Sequence, residues 1–377
     1  MKQKEMKKNT SIFVVAPTVF LSSRGTSFRV YAFVKTLLDL GYNATVYTYP
    51  FGETPKHISV VRCWNPLFWI NTLPMGFHWS RFLFDVLLLN TLIKNIIQSQ
   101  QKNICIYAHL YEGVCIGWLC KRIFFWKNIE IIGDFHGGLV KELNIHNNIV
   151  KKIVSRIEAW IYTLPALCTT SSLELMAHIQ EFRIDRVVFL PDVPSVELHT
   201  HDKNTIYQKY HLPSDVPIVV YAGGFSFDKN VSAVWNMIRE NKDVFWVIAG
   251  GPAKMLLIPN DIPKDAYTVI SPLSANTLSE LLSIAGVCID PKQKDSLQGS
   301  GKIVNAMIYG VPIITQNTDT NMWYTQDLFP IGYSRESLKH LLMVKNVSLT
   351  ENIKERTGEI TVTHRSVISG ILEKYLC

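Results

Sequence analysis

Gln298–Thr315 reads QGSGKIVNAMIYGVPIIT. A Gly299-Ser300-Gly301 turn opens a short amphipathic helix that carries Lys302 and Asn305. The helix stops at Gly310, and Val311–Thr315, around Pro312, is a buried strand. Bare backbone N–H groups at a glycine-rich helix start attract an anion, and the helix dipole adds to that attraction. Lys302 puts a full positive charge on the first turn. Asn305 lies three residues on, on the same face, where its amide can bond a sugar hydroxyl. The pattern suits a nucleoside diphosphate with its ribose. A helix cap that binds nothing carries the same signature. A P-loop does not fit: it needs glycine at 296 and a hydroxyl after the lysine, and the chain has Ser296 and Ile303.

Outward from this segment, apolar strands alternate with helical stretches. SIFVVAP (11–17), ATVYTY (44–49), NICIYAH (103–109), IEIIGDFH (129–136), ALCTTSS (166–172) and VVFLPDV (187–193) form one series. PIVVYAGG (217–224), VFWVIAGGP (244–252), YTVISP (267–272), VCIDP and the 298–315 segment form a second. Strands this continuously apolar are buried on both faces, as in a parallel sheet. Residues 194–215 are polar and read as a linker with a short helix. The expected architecture is α/β, with two doubly wound halves: 1–195, 196–360, and a C-terminal helix over 361–377 that packs back on the first half. Ligands in such folds sit beyond the carboxyl ends of the strands.

Composition narrows the function. The 377 residues exceed one ordinary core, so two domains are expected. Apolar residues make up 47% and charged ones 18%, which is a folded chain rather than a disordered one. The net charge of +7 suits anionic ligands or an anionic membrane face. No nucleic-acid motif is present, and no nucleic-acid partner is expected. Seven scattered cysteines without a CxxC read as reduced core thiols, and the compartment as cytoplasmic. SIFVVAP is too short for a signal peptide and reads as a first strand. From Trp64 to Ile97 the chain is dense in Trp, Phe and Leu. Arg81, Asp85, Asn90 and Lys94 interrupt it before the roughly 20 apolar residues of a membrane span. It reads either as a buried helix with a loop, or as an interfacial surface for peripheral membrane contact.

The ordered set LSSRGTSFRVYAFVKTLLDLGY, GDFHGG, VVFLPDV, YAGGFSFDKN, VIAGGP and QGSGKIVNAMIYGVPII resembles the GT-B glycosyltransferases of family 4, across roughly 11–320. The resemblance implies two Rossmann-like domains facing across a cleft. It also implies a retaining transferase whose donor is a UDP- or GDP-linked sugar, with no other cofactor and no metal, and whose acceptor is a saccharide or a lipid-linked molecule. Gly25 and Thr26 match the glycine loop that faces the donor diphosphate. His136 matches a histidine near the reacting carbon, and Lys229 a lysine that pairs with phosphates. Gly250, Gly251 and Pro252 match a turn beside the nucleotide. Ser271–Leu273 matches the loop that meets the base.

This chain departs from the family in two places. Gly223-Gly224 stands where Gly-Arg is usual, so one phosphate-binding cation is missing; Arg24 and Arg29 are candidate replacements. Gln298 and Asn305 fill the positions of the usual glutamate pair, with Asp295 as a substitute carboxylate. The expected catalytic residues are His136, Lys229 and Lys302. The donor site would comprise Gly25, Thr26, Gly223, Gly224, Gly250, Gly251, Leu273, Gln298, Gly299, Ser300, Gly301 and Asn305. His109 and Glu112 in YAHLYEG would line the acceptor side. His199 and His201 alone are a weak metal signal, and no His/Cys ligand cluster is evident. The altered positions keep open a catalytically impaired sugar-nucleotide-binding or interaction protein, and a GT-B sugar-nucleotide epimerase. A dinucleotide oxidoreductase fails, because the first loop lacks G-x-G-x-x-G.

Overall fold

In the computed structural model, residues 11–376 are described except 22–24, 71–72, 74–77, 144, 146, 226–229, 252, 300, 330–331 and 345–346. The first half runs β1 (Ser11–Ala16), α1 (Gly25–Asp39), β2 (Asn43–Thr48), β3 (Ser59–Arg62), α2 (Trp79–Gln98), β4 (Asn103–His109), α3 (Leu110–Ile123), β5 (Asn128–Phe135) and α4 (Leu139–Glu142). It continues with α5 (Asn148–Thr163), β6 (Leu167–Thr170), α6 (Leu173–Gln180) and β7 (Val187–Phe189). These strands form a seven-stranded parallel sheet in the order β3-β2-β1-β4-β5-β6-β7. The second half runs α7 (Lys203–Lys209), β8 (Ile218–Gly224), α8 (Val231–Glu240), β9 (Phe245–Gly251), β10 (Tyr267–Ile270), α9 (Ala275–Ile284) and β11 (Val287–Asp290). It ends with α10 (Gly301–Met307), β12 (Ile313–Thr315), α11 (Asp319–Thr325), α12 (Arg335–Val344) and α13 (Val347–Leu376). Its parallel sheet has five strands in the order β10-β9-β8-β11-β12.

The strand sequences explain the layering. In β1, Phe13 and Val15 point into one core while Ile12, Val14 and Ala16 point into the other. β4 divides the same way, with Ile104, Ile106 and Ala108 opposite Cys105 and Tyr107. A strand sandwiched between two helix layers has no polar face, so its residues are apolar without a break. The chain order reverses between β1 and β4 in the first sheet and between β8 and β11 in the second. At such a reversal neighbouring crossovers leave in opposite directions and open a crevice at the strand ends. The two crevices face each other.

Two elements differ from expectation. β3 is a short edge strand with no fully buried residue, and it lacks the apolar run that reveals the others. The C-terminal helix begins at Val347, not 361, and is 30 residues long. Ile353 and Ile360 sit in the second core, and Ile368, Ile371 and Leu372 in the first. Different faces are buried along its length, so no single stripe marks it in sequence. The six described cysteines are free thiols, and all but Cys115 are buried.

Ile368, 1% exposed, lies on the helix that joins the two cores. Ile368→Ala is expected to lower the unfolding free energy by about 2–5 kcal/mol. Urea denaturation reads this directly, and a loss well under about 1 kcal/mol would mean the helix end does not pack on the first sheet.

Candidate active site

A cavity of about 300 Å³ opens between the two crevices. From the first half it is lined by Gly25, Thr26, Arg29 and His136, and from the second by Gly223, Gly224, Leu273, Asp290 and Lys292. Gln298, Gly299, Gly301, Lys302 and Asn305 close one side. The structure thus gathers most of the expected donor residues at one place. Gly250 and Gly251 pair in register with Gly223 and Gly224 but are not part of the lining. Lys229, Ser300, Pro252 and Arg24 lie outside the described residues.

Lys302 sits on the first turn of α10 and its Nζ bonds Asp290 Oδ1 at 2.8 Å. Asp290 ends β11 and is 1% exposed. The same Nζ lies 5.3 Å from the centroid of the Tyr221 ring. A Cβ at Gly223 would meet Lys302 Cε at 2.8 Å, so this glycine leaves room for the lysine. α10 is only seven residues long, which makes its dipole weak; the charge of Lys302 matters more than the expected N-terminal field.

Lys292 was not anticipated. It follows β11, lines the cavity, and its Nζ donates to the carbonyl oxygens of Gln298 and Gly299, the latter at 2.8 Å. This lysine holds the 298–301 loop and brings a second cation to the cavity. In sequence its only signal is its place two residues after the buried strand end Asp290.

The loop is fixed from the other side as well. Ser172 Oγ donates to Leu297 O at 2.7 Å, and Gly299 N–H donates to Ser171 Oγ at 3.1 Å. A Cβ at Gly299 would stand 2.4 Å from Ser171 O, closer than real contacts allow. Asp295 is 74% exposed in its side chain, pairs with Lys141 and does not line the cavity. It is therefore a loop ion pair across the two halves rather than the substitute carboxylate. Glu142 does line the cavity. Asn305 lines it too, but its Oδ1 accepts from Ser195 N–H at 2.8 Å and its Nδ2 donates to Ser195 Oγ at 3.0 Å. Its amide is largely engaged where the chain passes between halves, so the expected ribose bond has an internal competitor.

Arg29 is the centre of a buried ion cluster. Its guanidinium bonds Asp134 through Nε at 2.9 Å and Nη2 at 2.8 Å, Asp192 Oδ1 at 2.5 Å, and Leu190 O at 3.1 Å. Burial alone would lower its pKa, but Asp134 and Asp192 outweigh burial and raise it. Burial would likewise raise Asp134, yet Arg29 and the two histidines hold it well below the usual carboxylate range. Four of the five Arg29 donors are committed in these bonds and one Nη1 hydrogen is left, so Arg29 serves first as a brace of the cavity wall rather than as a bidentate replacement for the missing phosphate-binding arginine.

Asp134 Oδ2 also meets His109 Nδ1 and His136 Nε2, each at 2.9 Å, and the two ring nitrogens are 3.2 Å apart. This corrects the placement of His109. It is 0% exposed, packed against Phe33 and Tyr107, and cannot meet an acceptor. Burial pushes its pKa down to about 4, so it is neutral, donates through Nδ1 and leaves a bare Nε2. Glu112 sits on the first turn of α3, half-buried and outside the cavity lining. The spacing of His109, Asp134 and His136 resembles a metal-ligand set. The sequence gives no metal expectation here, and Arg29 already brings a fixed cation to the same carboxylate oxygen. We read the trio as a hydrogen-bonded brace for His136. His201 bonds Ser279 at 2.7 Å, with its ring centroid 6.0 Å from that of His199.

No protein-family model and no curated protein sequence matches the chain. Solved structures do share its fold. Sucrose-phosphate synthase from Thermosynechococcus elongatus matches with a TM-score of 0.75 at 15% identity, covering 97% of this chain and 100% of that one. Anabaena HepE, solved with UDP and glucose, matches with a TM-score of 0.69 at 12% identity, covering 96% and 99%. WaaG, a glycosyltransferase of lipopolysaccharide biosynthesis, matches with a TM-score of 0.65 at 12% identity, covering 95% and 100%. The chain has the GT-B fold of these glycosyltransferases.

Stability should fall with acid over two pH ranges. His109 and His364, both lowered to about 4 by burial, stay neutral while an unfolded histidine takes up a proton near pH 6.5. Stability therefore falls as pH drops from about 6.5 to 4. Asp134, with its depressed pKa, adds stability that is full above the unfolded value near 4 and lost below it. His364→Gln should remove about 1.4 kcal/mol per pH unit from the upper slope near pH 5. Denaturant titrations at several pH values would show an unchanged slope if His364 were charged in the fold.

Proposed function

We propose that the protein is a glycosyltransferase. It moves a hexosyl unit from a UDP- or GDP-linked sugar to a saccharide or lipid-linked acceptor, with retention of configuration. One observation carries the reading: two cations, Lys292 and Lys302, stand at a strand-end cavity lined by Gly25, Thr26, Gly223 and Gly224. Such a site favours a diphosphate, and its volume sits at the lower end of small-molecule sites.

In this scheme the bond between the anomeric carbon and the diphosphate oxygen breaks. The electron pair leaves with the diphosphate, and Lys302 and Lys292 stabilise the growing negative charge. The acceptor hydroxyl attacks the anomeric carbon, and its proton passes to the departing phosphate oxygen. Asp290 holds Lys302 in place until the diphosphate competes for it. His136, braced by Asp134, faces the cavity where the donor sugar would lie. The lysines take the role that a metal ion fills in other transferases, so the scheme is metal-independent. We assign the activity to envelope or surface polysaccharide synthesis at the cytoplasmic face of a membrane.

A second reading is a sugar-nucleotide-binding protein with impaired transfer. Gln298 and Asn305 favour it, since neither supplies the carboxylate usual at those positions.

Hydrogen bonds to charged groups contribute about 1.5–3 kcal/mol, so Lys302→Ala and Lys292→Ala should each weaken UDP or GDP binding roughly ten- to hundredfold. Calorimetric titration measures this, with thermal melting to check folding. If no nucleoside diphosphate or sugar nucleotide binds the wild-type protein, the transferase reading falls. Binding without hydrolysis or transfer to any acceptor selects the second reading.

A further inference from the structure

Three helices cover one face of the first sheet. Phe84, Leu88 and Leu92 of α2, Val114 and Cys120 of α3, and Ile161 and Tyr162 of α5 all enter the same core. Their outer faces are unusual for a helix layer that meets water. α5 exposes Ile149, Ile153, Ile157 and Trp160, spaced four, four and three residues apart on one stripe. Its fully buried residues are Glu158, Ile161 and Tyr162. α2 exposes Trp79, Phe82 and Val86, again on one stripe. α3 and the turn after it expose Leu119, Ile123, Phe125 and Trp126. Trp118 and Trp160 meet edge to face at 5.5 Å and join the α3 and α5 surfaces. The apolar stripes are therefore neighbours, not scattered single residues.

Charge identifies the occupant. These helices carry exposed Lys94, Lys121, Arg122, Lys151, Lys152 and Arg156. Their acids are Asp85, Glu112 and Glu158, and none of these is exposed. Lys121 pairs with Glu130 at 3.5 Å. Among the described residues, none of the other five cations has a carboxylate within ion-pair distance. Lysine is depleted at protein–protein interfaces, where a fixed partner geometry is needed. A fluid anionic lipid surface makes no such demand, accepts lysine as a point charge, and takes Trp and Phe at headgroup depth. Among the described residues no helix is long and apolar enough to cross a membrane, so the contact would lie in the interface.

We propose that the α2–α3–α5 face docks the protein on an anionic bilayer surface. The inference extends the proposed acceptor side but does not rest on nucleotide binding. It extends the membrane contact expected of the stretch 64–97, which includes α2, to a face shared by three helices, with α3 packed between α2 and α5. Glu158, on the inner side of α5, accepts from Leu139 N–H at 2.6 Å and from Tyr111 Oη at 2.8 Å. Leu139 lies three residues after His136, so the docking helix is bonded to the segment that reaches the cleft. A lipid-linked acceptor would then meet the enzyme on the face that also braces the site.

Vesicle co-sedimentation tests this with phosphatidylcholine alone and with about a third of the lipid replaced by phosphatidylglycerol. The wild-type protein should bind the anionic vesicles, and added salt should weaken binding. Lys151→Glu, Lys152→Glu and Arg156→Glu together should cut binding about a hundredfold or more. Ile153→Asn with Ile157→Asn, and separately Phe82→Asn, should each cut it severalfold or more. All these side chains are exposed, so melting temperature and nucleotide binding should stay unchanged. Equal or absent binding to both vesicle types overturns the proposal, as does full binding by the charge-reversed variant. So does a wild-type dimer that the Ile153/Ile157 pair dissociates, which would make the face a contact between copies.

Discussion

The ion cluster around Arg29 is the constraint on which the cleft depends. Arg29 lies on α1, Asp134 near the end of β5, and Asp192 just beyond β7, so one guanidinium ties three strand-end segments together. A buried charge without partners is costly, and this one is tolerable because carboxylates and a carbonyl satisfy it. Asp134 in turn orients His109 and His136. Asp192 N–H donates to Tyr324 Oη on α11, and His364 of α13 bonds Pro191 O beside it. The cluster thus fixes the first-half wall of the cavity and touches elements that belong to the second core.

Opposite that wall, the second half is arranged around Asp290. This carboxylate at the end of β11 holds Lys302, while Lys292, two residues on, holds the 298–301 loop. Each lysine has a structural partner and also lines the cavity. A preorganised cation needs little rearrangement when an anion arrives, which is how such a site would stabilise charge without added cofactor chemistry. The two halves are held by Ser171, Ser172 and Lys141 against the 295–299 segment, and by the long C-terminal helix.

Much of the fold was legible in the sequence because a parallel sheet buried on both faces leaves continuous apolar strands. SIFVVA, NICIYAH and FWVIAGG announce themselves this way. The glycine-rich turns at strand ends likewise marked Gly25, Gly223 and Gly299. What stayed hidden depends on pairings distant in sequence. Arg29 meets Asp134 and Asp192 across 105 and 163 positions, so its structural role was invisible. His109 looked like a cleft residue because it ends a strand, but Phe33 and Tyr107 seal it. Asn305 looked free for a sugar until Ser195 met it across 110 positions. Lys292 belongs to no motif, and the apolar stripe of α5 reads in sequence as an ordinary core helix. In the structure Glu158, Ile161 and Tyr162 turn inward, and Ile149, Ile153, Ile157 and Trp160 face out.

The most direct measurement is a crystal structure of the protein soaked with a nucleoside diphosphate such as UDP or GDP. A donor site as inferred predicts density for the two phosphates between Lys292 and Lys302, beside Gly223 and Gly224, with Arg29 still bound to Asp134 and Asp192. Phosphates held by Arg29, or a nucleotide found only outside this cavity, would contradict it.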